Sequence, residues 1–189
     1  MERLFWAQFP ICRANALLGY HGGDDSRKIV LALKYRNRQQ IGEHFGRIMA
    51  ADLIDTTFFE GIDAIVPIPL SKKRQLQRGY NQSESLAEGV SKVTGIPVLN
   101  NIVERIKDNP TQTKLNTPQR KQNVEGIFRT IDKDSIRGKH ILLIDDVLTT
   151  GATILSCAQE LSKDTDVRIS ILTLFVAGNH GSGPIDIAE

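Results

Sequence analysis

The sequence predicts an α/β protein built on an open, mainly parallel, doubly wound sheet with helices on both faces. Three observations predict it. Apolar runs with strand character alternate with stretches of helical period. One run, His140-Ile141-Leu142-Leu143-Ile144-Asp145, is apolar without alternation, as in a central strand covered on both sides. The crossover rule for parallel strands then leaves an open wound sheet, whose ligand sites lie at the carboxyl ends of the strands.

The elements follow in order. Ala16-Leu17-Leu18-Gly19-Tyr20 reads as a short strand, and Gly22 to Ser26 as a loop that caps a helix carrying Ile29, Val30 and Leu33 to about Tyr35. A second helix runs from about Gln40 to Asp55, with Ile41, Phe45, Ile48, Met49 and Leu53 on one side. Ile62 to Val66 is a buried strand stopped by Pro67-Ile68-Pro69. Residues 71–80 read as a cationic loop, and Asn81 to Thr94 as a helix ended by Gly95. Pro97 to Leu99, Ile102-Val103 and Gly126 to Arg129 are extended, with one or two helical turns expected over Thr117 to Asn123. After the central strand come a helix from Gly151 to Ser162 and a last strand from Val167 to Val176. The expected division is a small N-terminal hood over 1–60 packed on a core of 61–177, with a loose glycine-rich tail over 178–189.

Composition bounds the function. At 189 residues, 40% of them hydrophobic, the chain suits one globular domain and excludes a disordered or collagenous one. A net charge of +2 advertises no whole-molecule affinity for nucleic acid or an anionic membrane. Two cysteines far apart, Cys12 and Cys157, offer neither a disulfide framework nor a four-cysteine zinc site. The longest apolar stretch, Ile169 to Ala177, is half a membrane span, and no secretory leader is read at Met1 to Trp6. A soluble, cytoplasmic protein is expected.

The strongest functional signal follows the central strand. Asp145 and Asp146 can accept hydrogen bonds from vicinal hydroxyls or share a Mg²⁺ shell. Behind them, Val147-Leu148-Thr149-Thr150-Gly151-Ala152-Thr153 turns into a helix whose backbone N–H groups, hydroxyls and dipole favour an anion. Hydroxyl acceptors beside a phosphate cradle suit a ribose 5-phosphate. A phosphoacceptor receiver domain also carries an Asp-Asp pair, but near its start, whereas this pair lies in the last quarter. No GxxxxGK[ST] loop occurs, because Gly138-Lys139 is followed by His140, and GxGxxG is absent.

Two further segments accompany it. Pro69-Leu70-Ser71-Lys72-Lys73-Arg74 to Arg78 bears four cations and no acid, so it reads as an anion site or, taken alone, as a solvated basic surface loop. Prolines at 67 and 69 remove donors, leaving side chains and the N–H groups from Leu70 onward. Arg105 and the polar stretch from Asn109 to Phe128 read as a linker or as a closing lid bearing Lys114, Arg120 and Lys121.

The Asp145 to Thr153 segment resembles the phosphoribosyl pyrophosphate (PRPP) motif of type I phosphoribosyltransferases. The resemblance implies that the acids hold the ribose hydroxyls with Mg²⁺, that the threonine loop (147–153) holds the 5-phosphate, and that Pro69, Leu70, Ser71, Lys72, Arg74 and Arg78 grip the diphosphate. Over about residues 15–176 the order Val-Pro-Ile-Pro-Leu, Arg-Gly-Tyr-Asn-Gln-Ser, Thr-Gln-x-x-Leu, Arg120 with Asn123, and Asp-Asp-Val-x-Thr-Thr-Gly-Ala-Thr is similar to the competence protein F family. Leu31 to Tyr35 also resembles that family's helix ahead of the core, making Lys34 a candidate pocket or hood cation, with a plain surface lysine as the alternative. Many members carry a cysteine-rich zinc module; no zinc site is expected here. The transferase half of amidophosphoribosyltransferases is a more distant likeness. Their glutaminase chemistry is not expected, since no cysteine nucleophile stands at Met1-Glu2-Arg3.

The function this implies is transfer of phosphoribose from PRPP to an unidentified, nitrogen-bearing acceptor, with Mg²⁺ as cofactor and pyrophosphate as product. The alternative is a non-catalytic PRPP- or nucleotide-binding protein, or an accessory in DNA uptake. Nucleic acid is a poorly supplied partner, because aromatics are 6% of residues and no helix-turn-helix is legible. A homodimer is the family-level expectation. No general base is assigned: His21, His44, His140 and His180 all read as structural or solvated.

Overall fold

The computed structural model describes residues 9–20, 24–34, 39–107 and 126–177. Four strands make one sheet with every pairing parallel: β1 (Ala14–Tyr20), β2 (Ala64–Pro67), β5 (His140–Leu148) and β6 (Arg168–Ala177), in the order β1-β6-β5-β2. A two-stranded antiparallel ribbon, β3 (Val103–Arg105) with β4 (Phe128–Thr130), stands apart. The helices are α1 (Asp24–Lys34), α2 (Gln39–Leu53), α3 (Lys72–Arg78), α4 (Gln82–Thr94) and α5 (Ala152–Leu161).

Strand periodicity builds two cores. Ala64 and Val66 of β2, Ile141 and Leu143 of β5, and Ile169 and Ile171 of β6 face α5 and the β3–β4 ribbon. Their neighbours Ile65, Leu142, Ile144, Leu172 and Leu174 face the opposite layer, made by Leu33 of α1, Met49 and Leu53 of α2, and Leu86 and Val90 of α4. Both faces are therefore covered, which is why β5 can be apolar throughout.

Most boundaries agree with the sequence to within two residues. Asn81 caps α4, its side chain accepting from the Ser83 N–H, and Gly95 ends that helix in the left-handed conformation at φ 74°. Two expectations are corrected. Residues 72–78 are not loop but the two-turn helix α3. Ser71 caps it, Gly79 closes it at φ 79°, and Lys, Arg, Gln and Leu between them are all good helix formers. The central strand does not end at the acid pair but runs on through it to Leu148. β5 runs to Leu148 because β6 continues to offer partners, Asp145 against Thr173, Val147 against Phe175 and Leu148 against Val176. The turns expected over 117–123 lie outside the described residues. Among the described residues no helix is long and apolar enough to cross a membrane.

Candidate functional site

The parallel pairing of β2 with β5 brings two of the predicted segments together. Val66 lies opposite Leu143 and Pro67 opposite Ile144. The Ile68 N–H then donates to the Ile144 carbonyl at 3.0 Å, so the proline-stiffened loop leaves the sheet beside Asp145. Segments about eighty residues apart in sequence thus share one edge, the carboxyl end of the sheet.

Asp145 is fixed from two sides. Its Oδ1 accepts from the Ser83 hydroxyl of α4 at 3.1 Å and from the Asp146 N–H at 2.9 Å. Asp146 is half-buried and sits close enough to Tyr80 to act on it. Burial is the chief cause that raises the Tyr80 phenol above its ordinary value, Arg78 opposes the rise, and the negative charge of Asp146 adds to it. The Tyr80 hydroxyl donates to the Leu33 carbonyl, tying this corner to the end of α1.

Beyond the acids, Thr149 and Thr150 are exposed and Gly151 turns the chain at φ 76°, a left-handed conformation that glycine adopts without strain. Gly151 is the cap of α5 and, being glycine, supplies no side-chain acceptor to the first helical N–H groups. Those donors stand beside two hydroxyls, as an anion site at a helix start requires.

The cations sit on α3. Lys72 and Lys73 are exposed, while Arg74 and Arg78 are half-buried. Arg78 donates to Gln82 Oε1 at 2.8 Å. Ser71, buried at the helix cap, accepts from the Arg74 N–H at 3.4 Å. Between α3 and the β3–β4 ribbon lies a groove of about 230 Å³ lined by Lys72, Lys73, Arg105, Lys107 and Arg129 against Glu104. Glu104 already pairs with Arg129. Arg105 lies over the Phe128 ring at 5.7 Å and donates to the Lys107 carbonyl at 3.3 Å. A second cavity, about 240 Å³, continues under Pro67, Pro69 and Leu70.

Other candidates lie elsewhere. Lys114, Arg120 and Lys121 of the expected lid fall outside the described residues, as do His21 and His180 and the side chain of Lys34. His140 begins β5, five residues and about 16 Å along the strand from Asp145. It is buried against the Ser170 hydroxyl at 2.9 Å. His44 is exposed on α2. Cys157 is buried beneath the site, and burial first, then Asp145 and Glu160, push its thiol far above the ordinary range. The roles of Ser83, Gln82 and Tyr80 were not read from sequence. Their one signal was the Gly-Tyr-Asn-Gln-Ser run itself, which shows polar residues at a helix start without showing what they reach.

A family model described as the phosphoribosyl transferase domain matches residues 37–188. The chain is 33% identical over 139 residues to competence protein F of Haemophilus influenzae, covering 71% of this chain and 61% of that protein. It is 29% identical over 149 residues to the DNA utilization protein YhgH of Escherichia coli, covering 77% and 65%. It therefore spans less than two thirds of the length of these relatives. Among solved structures it is similar to the glutamine PRPP amidotransferase from B. subtilis complexed with ADP and GMP, with TM-score 0.45 and 18% identity, covering 75% of this chain and 30% of that one.

Proposed function

The chain belongs to the phosphoribosyl transferase domain family, and from that premise we propose that it binds PRPP and transfers its phosphoribosyl group to a nitrogen-bearing acceptor, releasing pyrophosphate. One observation carries the reading: an uncapped start of α5 and the carboxylates of Asp145 and Asp146 stand a few residues apart at the carboxyl end of β5. Phosphate and vicinal hydroxyls, the groups that such an anion site and such acids take, occur together on one ligand, a ribose 5-phosphate.

In this reading the N–H groups of Gly151 to Thr153 and the hydroxyls of Thr149 and Thr150 hold the 5-phosphate. Asp145 and Asp146 take the ribose hydroxyls. Pro69 to Lys72, Arg74 and Arg78 hold the diphosphate, with Lys114 and Arg120 as lid cations. Displacement at the anomeric carbon develops negative charge on the departing diphosphate, and fixed cations lower that barrier. Two carboxylates together with ligand oxygens are the hard donor set that suits Mg²⁺, which needs no third protein ligand. When bound, it supplies charge neutralisation at the leaving group. Calorimetry with PRPP and Mg²⁺, followed by pyrophosphate release over a panel of bases and amines, tests the proposal. Saturable binding with release for some acceptor supports it; no binding overturns it.

A second reading is favoured by the groove between α3 and the ribbon, where Lys72, Lys73 and Lys107 make no ion pair among the described residues. In that reading the protein is a non-catalytic accessory that meets single-stranded nucleic acid. Binding of an oligonucleotide would then fall with salt at a slope of about 0.7 per phosphate contacted, with no pyrophosphate released.

A further inference from the structure

Three consecutive polar side chains are buried at the start of α4: Asn81, Gln82 and Ser83 are 2%, 1% and 3% exposed. The helix itself asks for only one of them. Asn81 Oδ1 accepts from the Ser83 N–H at 3.1 Å, and that is the cap. Burying the other two polar groups is unfavourable unless they are hydrogen-bonded, and both bond to residues outside α4.

Each of the three reaches a different part of the site. Asn81 Nδ2 donates to the Ile68 carbonyl at 3.1 Å, in the loop after β2. Gln82 Oε1 accepts from Arg78 at 2.8 Å, at the end of α3. The Ser83 hydroxyl donates to Asp145 Oδ1 at 3.1 Å, 62 residues onward. Gln82 holds Arg78 although its own Nε2 stays buried without a hydrogen-bond partner among the described residues. A position kept for packing alone would carry an apolar side chain and leave no such orphan. Turning the amide over would set its donors against the guanidinium, so Arg78 fixes which way Gln82 faces.

We propose that Gln82 and Ser83 are positioning residues for the two halves of the sugar donor, an inference that rests on the PRPP reading above. Gln82 aims the Arg78 guanidinium at the diphosphate. Ser83, with the Asp146 N–H, sets the plane of the Asp145 carboxylate against the ribose hydroxyls. Asn81 pins the loop so that both groups meet the same ligand. The first turn of α4 is thereby the part that sets the distance between the leaving-group grip and the ribose grip.

The assignment predicts a split between two ligands, PRPP and ribose 5-phosphate, which lacks the diphosphate. Both are titrated with Mg²⁺ into the full chain by calorimetry. Gln82→Met should weaken PRPP about tenfold and leave ribose 5-phosphate within about twofold. Ser83→Val should weaken both ligands about tenfold relative to Ser83→Thr, which has the same shape and restores the hydroxyl. The Thr and Val pair also removes the question of folding, because both carry the same extra methyl. Equal losses for both ligands in Gln82→Met, no loss there for PRPP, or equal affinities for the Thr and Val variants would each overturn the proposal. Asp145→Asn separates the two levels. If it keeps full affinity, the PRPP site itself is wrong; if it loses binding while Ser83→Val does not, only the positioning role fails.

Discussion

Gly46 of α2 and Gly89 of α4 meet backbone to backbone. A β-carbon placed on Gly46 would lie 2.1 Å from the Leu86 carbonyl oxygen, and one on Gly89 would lie 2.1 Å from that of Glu43. This contact seats α4, and with it Asn81 to Ser83, against α2.

Replacing either glycine should therefore destabilise, although alanine favours a helix by up to about 1 kcal/mol over glycine. Gly46→Ala must push two backbones apart and should cost about 3 kcal/mol. For a chain of this size that is a fall in Tm of roughly 6–12 °C. A thermal melt within about 2 °C of wild type would contradict the close approach.

Asp145→Asn with Asp146→Asn should abolish binding of PRPP with Mg²⁺ while the fold persists, since an amide cannot replace a carboxylate as a charged acceptor for hydroxyl and metal. Calorimetry beside circular dichroism checks it. Unchanged affinity in a folded double variant would remove the acid pair from the site.

His140 sets a pH dependence of stability. Burial, then the charges of Arg168 and Arg13, hold its imidazole below the ordinary value near 6.5. The unfolded chain thus takes up a proton at a pH where the folded one does not. Stability should fall as pH drops through about 6.5 and level off below the folded value. The lowered carboxyls of Glu160 and Asp132 add their own losses only at more acid pH, near and below their ordinary values. Urea midpoints between about pH 5 and 8 should show the His140 window in wild type and lose it in His140→Gln. A midpoint flat with pH in wild type would oppose this.

The two thiols should differ in reactivity. Cys12 is exposed, whereas Cys157 is buried with its thiol held protonated by burial and by Asp145 and Glu160. Under native conditions a thiol-specific chromogenic disulfide should react quickly at one site, and Cys12→Ser should abolish that signal until the chain is unfolded. Two fast equivalents would show that the core under the site opens readily.

Much of this was legible in the sequence for a local reason. The run Ile141 to Ile144 had to be a doubly covered strand, Gly95 had to close a helix, and Asp-Asp with Thr-Thr-Gly-Ala-Thr could be read as an acid pair before an anion turn. Each of these signals sits within a few residues of what it causes. The helix α3 was locally encoded too, by Ser71 and Gly79, but its charge density masked its good helix formers.

Two features had no local cause. That β5 continues through Asp145 and Asp146 depends on β6 extending as far beside it. That Ser83 holds Asp145, and that the loop from Ile68 adjoins both, depends on β2 pairing with β5 across more than seventy residues. Sequence by itself determined which chemical groups the protein carries and which local shapes present them. Tertiary structure decided which of those groups meet, because hydrogen bonds between distant segments follow from sheet order and helix packing rather than from the propensity of any one segment.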